Sequence, residues 1–500
     1  MGTYKGRVRR FATVKIDPAW LLVVLLLFTG LSAIVLTSEC NLGLGVLLIV
    51  WLGVFMLCSV NAFERPLLFA FLISFFVFLL GRDVLEQVFS YKVEAFPREA
   101  NDHAYAVMLL FLLSLILVHA ALSPRLRRDY KKVGVSSDYT FYRRAALIVY
   151  YATLPFAIIS RLYVTRYVVA NGYTNYYLDY SDYLAGNAFL YLLSKIDVAM
   201  PIAFYAFLAA RPSKADVKLP VCLYVFYLVV TLGGGQRSPA ILGFLFLAVY
   251  FMARQADEPG GHWVGRSAAT ITVFAFPIAA TALSWFNALR FEDTYSQLNP
   301  LWGMIDFFYD QGVTSNILKH AYIYRDLIPS DKLYTLEFIR SGTLARLLGI
   351  TTYHGNTVEH ALHGGSFAHS FGYVLLRDAY LAGRGTGTSC LAELYQDFGM
   401  TGVGLGGALY GALIASFDSR RPLHNAPSGT VLLIIVPQIL WAPRGSFSGF
   451  ITVLFYPSTI GILVIIAIVA AVLRQRSNNG GIPKTKRKAS RVSLTEPEAL

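Results

Sequence analysis

The sequence predicts an all-α, polytopic membrane protein, and three observations carry that expectation. Of 500 residues, 56% are hydrophobic and only 15% are charged, against about a quarter charged in soluble domains. The apolar residues are gathered into uninterrupted runs near or above the length that crosses a bilayer, about 20 residues. The basic residues, finally, sit in alternate short segments between those runs and in both tails, as membrane orientation requires.

About twelve spans follow from the length criterion, at 19–37, 42–61, 66–81, 104–123, 145–162, 187–210, 219–235, 238–253, 268–286, 399–417, 430–446 and 451–473. The first run is long and lacks an A-x-A-like exit, so it reads as an uncleaved span rather than a signal peptide. Lys5 to Lys15 precede it, Arg65 separates the second span from the third, and Arg125 to Arg144 separate the fourth from the fifth. Arg211, Lys214 and Lys218 follow the sixth, Arg254 and Arg266 the eighth, and Arg420 and Arg421 the tenth. The tail from Arg474 is basic as well. Most of the 43 basic residues therefore fall on one side if both termini are cytoplasmic. The net charge of +13 is thus a membrane-orientation pattern and gives no reason to expect nucleic acid. The four cysteines show no metal-ligand spacing and read as small apolar filler.

The chain divides accordingly. Residues 1–286 hold the basic N-terminus and the first nine spans, and 399–473 the last three. Residues 474–500 form a basic cytoplasmic tail of disordered composition. Between them, 287–398 is a large extracytoplasmic loop, too long to be structureless. Its stretch "NPLWGMIDFFYDQGVTSNILKHAYIYRDLI" mixes aromatics at helical spacing with charges, which suggests short amphipathic helices on the outer leaflet. A second outer segment, "YVTRYVVANGYTNYYLDYSDY" (163–183), is dense in tyrosine. No internal repeat is visible.

Three arginines mark the outer ends of hydrophobic hairpins: Arg237 in "TLGGGQRSPA", Arg290 in "SWFNALRFED" and Arg444 in "LWAPRGSFSG". The ordinary explanation for each is a guanidinium reaching lipid headgroups. Together they suit a pyrophosphate, since arginine is planar, bidentate and permanently charged. Lys195 and Asp197 lie within the sixth span, where ionisable groups are costly and line a cavity or pair with another helix. Lys195 is a further candidate for the diphosphate. The group "YHGNTVEHALHGGSFAHS" offers His363 and His369 as general bases; its spacing is not that of H-E-x-x-H. The segment "GRGTGTSCLAELYQDFGMTGV" puts Glu393 on one helical face with Cys390 and Asp397 just above the bilayer, suited to act as base or to hold sugar hydroxyls. Asp397 in the same segment reads as a capping residue at the start of the next span.

At these residues the chain resembles the Wzy-type O-antigen and capsular polysaccharide polymerases, also called oligosaccharide repeat unit polymerases. The likeness rests on "GGGQRSPA", on "GTGTSCLAELYQDFGMTGV" and on "APRGSFSGF", and extends over about residues 145–470. It implies a GT-C-like membrane glycosyltransferase in the bacterial cytoplasmic (inner) membrane. Such an enzyme joins polyprenyl-diphosphate-linked repeats on the outer face, with no metal, cofactor or nucleotide sugar. Arg237 and Arg444 match the turn arginines of the family, and Glu393 with Tyr395 its Ala-Glu-x-Tyr block. On that reading Arg237, Arg290, Arg444 and Lys195 face the diphosphate, and Glu393, His363 or His369 serves as base. Tyr395, Tyr176 and Tyr177 pack on sugar rings. The partners are the lipid-linked oligosaccharide, as donor and as acceptor, and the bilayer; a chain-length regulator and a flippase stay open. Two alternatives stand beside this one. One is an O-antigen-ligase-like transferase, and the other is a transporter or flippase of lipid-linked sugars.

Overall fold

The computed structural model describes residues 40–130, 139–235, 238–258, 262–265, 300–419 and 425–479, with isolated positions between 26 and 33. Among the described residues every regular element is a helix. Ten helices among the described residues are long and apolar enough to cross a membrane. They are Leu42–Val60, Pro66–Gln87, Arg98–Leu126, Thr140–Asn171, Ala188–Ala209, Lys214–Leu232, Ser238–Asp257, Cys390–Asp418, Ala426–Arg444 and Pro457–Asn478. Each coincides with a span read from the sequence, and the chain is a polytopic membrane protein. The remaining expected spans, 19–37 and 268–286, fall wholly or largely outside the described residues, as does the tail from 480.

Two spans are longer than hydropathy suggests, and local chemistry explains both. The Thr140–Asn171 helix runs on through Pro155 and ends only at Gly172, at φ +86°, so it carries Tyr163 and Tyr167 beyond the apolar run. The Cys390–Asp418 helix begins nine residues before the apolar run at 399. Ser389 caps it, accepting from the Leu391 amide. Gly399, at φ +58° and ψ −151°, then turns the polar first segment into the apolar second one.

Long-range polar clasps and close glycine contacts hold the bundle. Gly407 and Gly411 lie one turn apart and press on the Arg98–Tyr130 helix. A Cβ on either would stand 2.4 Å from the Phe111 carbonyl oxygen or 2.3 Å from that of Leu115. Small residues at this spacing let helix backbones approach where the solvent is lipid. At the far end of the same helix, fully buried Asp418 accepts from the Leu67 and Leu68 amides (3.0 and 3.3 Å) and lies 3.0 Å from His119 Nε2. It thereby caps the Pro66 helix from 350 residues away. Asp197 is neutralised by Arg161 of the neighbouring helix (2.9 and 3.1 Å) and by the Tyr227 hydroxyl (2.8 Å). This is an interhelical ion pair, and Lys195 takes no part in it.

Between the seventh and eighth described spans, residues 300–389 form a block of short helices, including Pro300–Gln311, Thr314–Ile323, Glu337–Arg340, Val358–His363 and Phe367–Leu376. The block sits on the bundle rather than beside it. Lys319, in a helix whose Thr314 to Lys319 are all buried, pairs with fully buried Asp83 of the Pro66–Gln87 span. Lys92 reaches Asp306 at 2.8 Å, and the Phe308 ring stands edge-on to Phe76. One end of the bundle therefore carries the block, and all the candidate site residues that the structure describes, except Lys195, lie there.

Candidate functional site

Two distant motifs are stapled together at the block end. Glu393 lies one turn into the Cys390–Asp418 helix, with no exposed surface. Its Oε1 accepts from the Thr388 hydroxyl at 2.7 Å and its Oε2 from the Phe447 amide at 2.8 Å. The Ser389 hydroxyl donates to the Pro443 carbonyl at 2.9 Å, and Tyr410 donates to that of Phe447 at 3.0 Å. The "GTGTSCLAE" helix start and the "APRGSF" turn are thus one unit, although 54 residues separate them.

Arg444 ends the 3-10 turn of that unit. Its Nη1 donates to the Gln311 carbonyl (3.0 Å) and to the Gln311 side-chain oxygen (3.2 Å). The guanidinium lies 5.8 Å from the Trp441 ring and 5.9 Å from that of Phe78. Next in sequence to Gln311, Gly312 is pressed against Arg82, where a Cβ would come within 2.4 Å of the arginine Cβ. Arg82 is a cation the sequence reading passed over. It is bound to Glu86 (2.7 Å), Glu94 (2.8 Å) and the Tyr309 hydroxyl (2.8 Å). Its charge is spent within the fold.

A second carboxyl, Glu337, for which the sequence gives no signal, joins Glu393. Asp397, one turn further along the same helix, accepts from the Tyr334 amide (3.1 Å), the Thr335 amide (2.7 Å) and the Thr335 hydroxyl (2.7 Å). That anchor fixes the start of the short Glu337–Arg340 helix. Phe338 stacks on Phe455 at 6.2 Å, and Arg340 packs against Gly365. Glu337 is half-buried and interacts electrostatically with Glu393. Burial raises its pKa, while the hydroxyls of Ser366 and Ser446 approach it and favour its charged form. Tyr456 lies near Glu337; burial and then the Glu337 charge push its hydroxyl pKa up.

The histidines form a neighbouring group. The rings of His360 and His369 stack at 3.7 Å, and His369 Nδ1 lies 2.8 Å from the Tyr380 hydroxyl. Burial, then the His360 charge, pushes His369 down to about 3. His363 is exposed, with its ring 6.2 Å from Tyr353. Lys332 fastens the helix between them by donating to the Ala361 and Leu362 carbonyls (3.2 and 2.9 Å), and burial draws its pKa down to about 8.

The other candidates are distributed as follows. Tyr395 points to the face of its helix opposite Glu393 and packs its ring 4.2 Å from His103, which stacks on Tyr322. Tyr176 stacks on Tyr180 at 4.9 Å in a cluster with Tyr167 and Tyr183, and Leu178 beside it presses on Gly383 of the block. Lys195 is exposed and covers the Tyr191 ring at 4.6 Å, away from Arg444 and Glu393. Arg237, Arg290 and the Tyr177 side chain lie outside the described residues. Gly233 and Gly234, just before Arg237, abut Thr165 and Val164. The structure therefore unites Glu393 with the Arg444 turn and sets the histidine helix beside them. Glu337 had no sequence signal to distinguish it: "LEFIRSG" reads as any short amphipathic turn.

No curated protein and no solved structure matches the chain. A sequence model of the family described as O-antigen polysaccharide polymerase Wzy matches residues 19–477, which spans both stapled motifs and nearly every described helix. The chain belongs to the Wzy family of O-antigen polysaccharide polymerases.

Proposed function

We propose that the protein extends a surface polysaccharide, O-antigen or capsule, by joining polyprenyl-diphosphate-linked repeats at the outer face of the cytoplasmic membrane. Family membership gives the coarser role, a membrane O-antigen polymerase acting on lipid-linked oligosaccharide repeats. The single observation that supports the finer one is the hydrogen bond from the Phe447 amide to Glu393, which fixes a cation-bearing turn against an acidic helix start. The charge pattern of the loops supports the sidedness, with both termini cytoplasmic and the 300–389 block outside.

In this mechanism the acceptor hydroxyl of one lipid-linked repeat attacks the anomeric carbon of the growing chain. The bond to the lipid diphosphate breaks, and the departing diphosphate keeps the electron pair. Negative charge builds on that leaving group, so fixed cations aimed at it give the largest gain. Arg444 supplies one such cation: Gln311 and two aromatic faces hold its guanidinium in a single orientation. Arg237 and Arg290 are proposed as its partners on the basis of their sequence positions. The chemistry requires no metal.

The test is extension of lipid-linked repeats by purified protein in vesicles, read as a ladder on a gel. Arg444→Ala is expected to lower chain extension by about 10²–10³-fold, the range for losing one donor to a developing charge. Arg444→Lys, which keeps the charge and loses the planar fork, should recover only part of it. Normal ladders from Arg444→Ala would refute the diphosphate assignment. A single transfer product in place of a ladder would indicate a ligase-like transferase.

A further inference from the structure

We propose that Glu337 is the general base that takes the acceptor proton, and that Glu393 is a positioning residue behind it. This assignment rests on the polymerase reading above and deepens it.

The argument begins with access. A general base must come within hydrogen-bond reach of the proton it removes. Glu393 has no exposed surface, and each of its oxygens already accepts a hydrogen bond, one from Thr388 and one from Phe447. A sugar hydroxyl could reach it only if the staple between the two motifs opened. Glu337 interacts electrostatically with it and is half-buried on a helical turn of its own, approached by Ser446 of the staple and by Ser366 next to the histidine helix. Its approaching groups are hydroxyls, Ser366 and Ser446, which resemble a sugar alcohol in chemistry and leave the carboxyl able to accept one more.

Position is enforced independently of any titration. Asp397 ties down residues 334 and 335, Phe338 stacks on Phe455, and Gly365 is in close contact with the Arg340 side chain. Three separate elements thereby fix the turn that carries Glu337. Ser446 lies two residues after Arg444, so the stretch that bears the guanidinium also brings a hydroxyl to the Glu337 carboxyl. The step balances simply. The acceptor oxygen forms the new glycosidic bond, its proton passes to the Glu337 carboxylate, and the sugar–diphosphate bond breaks toward the lipid. Burial raises the Glu337 pKa, which brings a carboxylate nearer to neutral pH, where proton transfer is most effective.

The experiment uses the full chain in vesicles with lipid-linked repeats extracted from cells lacking the enzyme. Each variant is first checked for the wild-type melting temperature. Glu337→Gln should lower turnover by about 10²–10⁴-fold while the apparent KM stays within about threefold. Glu337→Ala should regain at least about tenfold of its activity with added formate, a small base that fits the vacated space. Glu393→Gln should change KM and turnover together, and formate should not rescue Glu393→Ala. Turnover of Glu337→Gln within about threefold of wild type would overturn the assignment alone. So would formate rescue confined to Glu393→Ala. A folded wild-type protein that makes no ladder would overturn the polymerase reading and this assignment with it.

Discussion

Asp397 offers the sharpest test of how the candidate site is held. Its carboxylate receives two amides and one hydroxyl from residues 334 and 335, and it does so from a different helix. A hydrogen bond to a charged acceptor contributes about 1.5–3 kcal/mol. The three share one half-exposed carboxylate and are not additive, so we take about 3 kcal/mol for the set. At about 1.4 kcal/mol per factor of ten, losing it makes local opening of the 334–340 segment roughly 100-fold more frequent. Asp397→Ala should therefore cut amide-exchange protection across 334–340 by about that factor in a nanodisc-reconstituted sample. Protection in the second half of the same helix, beyond the turn at Gly399, should not change. Protection across 334–340 that stays within about threefold of wild type would refute the idea that this anchor positions Glu337.

Three further outcomes are expected. Gly411→Val should lower the melting temperature, because a Cβ there meets the Leu115 backbone at 2.3 Å; overpacking costs about 1–3 kcal/mol, and a thermal unfolding scan in detergent would measure it. Asp418→Ala removes both the cap on Leu67 and Leu68 and the partner of buried His119. Each orphaned group costs about 1–3 kcal/mol, so the same scan should show a larger loss than Gly411→Val. His369 has its pKa held near 3, against an ordinary 6.5, so between these values the unfolded chain binds the proton and the native chain does not. Its contribution is complete above about pH 6.5 and is lost as pH falls toward 3. His369→Gln should flatten the acid side of the stability profile, as followed by melting temperature against pH.

The bundle was legible because lipid imposes a simple rule. Each span must satisfy its backbone internally and cover it with apolar side chains, so length and hydropathy place the helices directly. Boundaries were less legible where a polar segment continues the same helix. The residues from Cys390 to Phe398 lack the hydropathy of a span, yet Ser389 starts a helical segment there, and Gly399, with non-helical φ/ψ, kinks it directly into the apolar one. From the sequence, Asp397 reads as capping the span that follows it. In the structure it caps a separate element 62 residues earlier in the chain, an arrangement no local pattern encodes.

The site divides along the same physical line. Arg444 and Glu393 were visible because each breaks an apolar or glycine-rich context, and a charge in such a place needs a reason. Glu337 occupies a polar loop where a carboxylate needs none, and only the fold shows that this loop is pressed over a buried carboxyl. Arg82 shows the converse. It sits near the end of an apolar span and would have qualified on context, yet Glu86, Glu94 and Tyr309 absorb its charge completely. Context can thus nominate a charge, but its partners decide its use. By that criterion Arg82 and Asp197 are structural, Glu393 is a tether with both oxygens committed, and Glu337 keeps acceptor capacity at a partly open surface. On the proposed reading, a polymerase of lipid-linked repeats needs both kinds. Committed charges keep the frame rigid as the substrate moves, and a few uncommitted ones meet it.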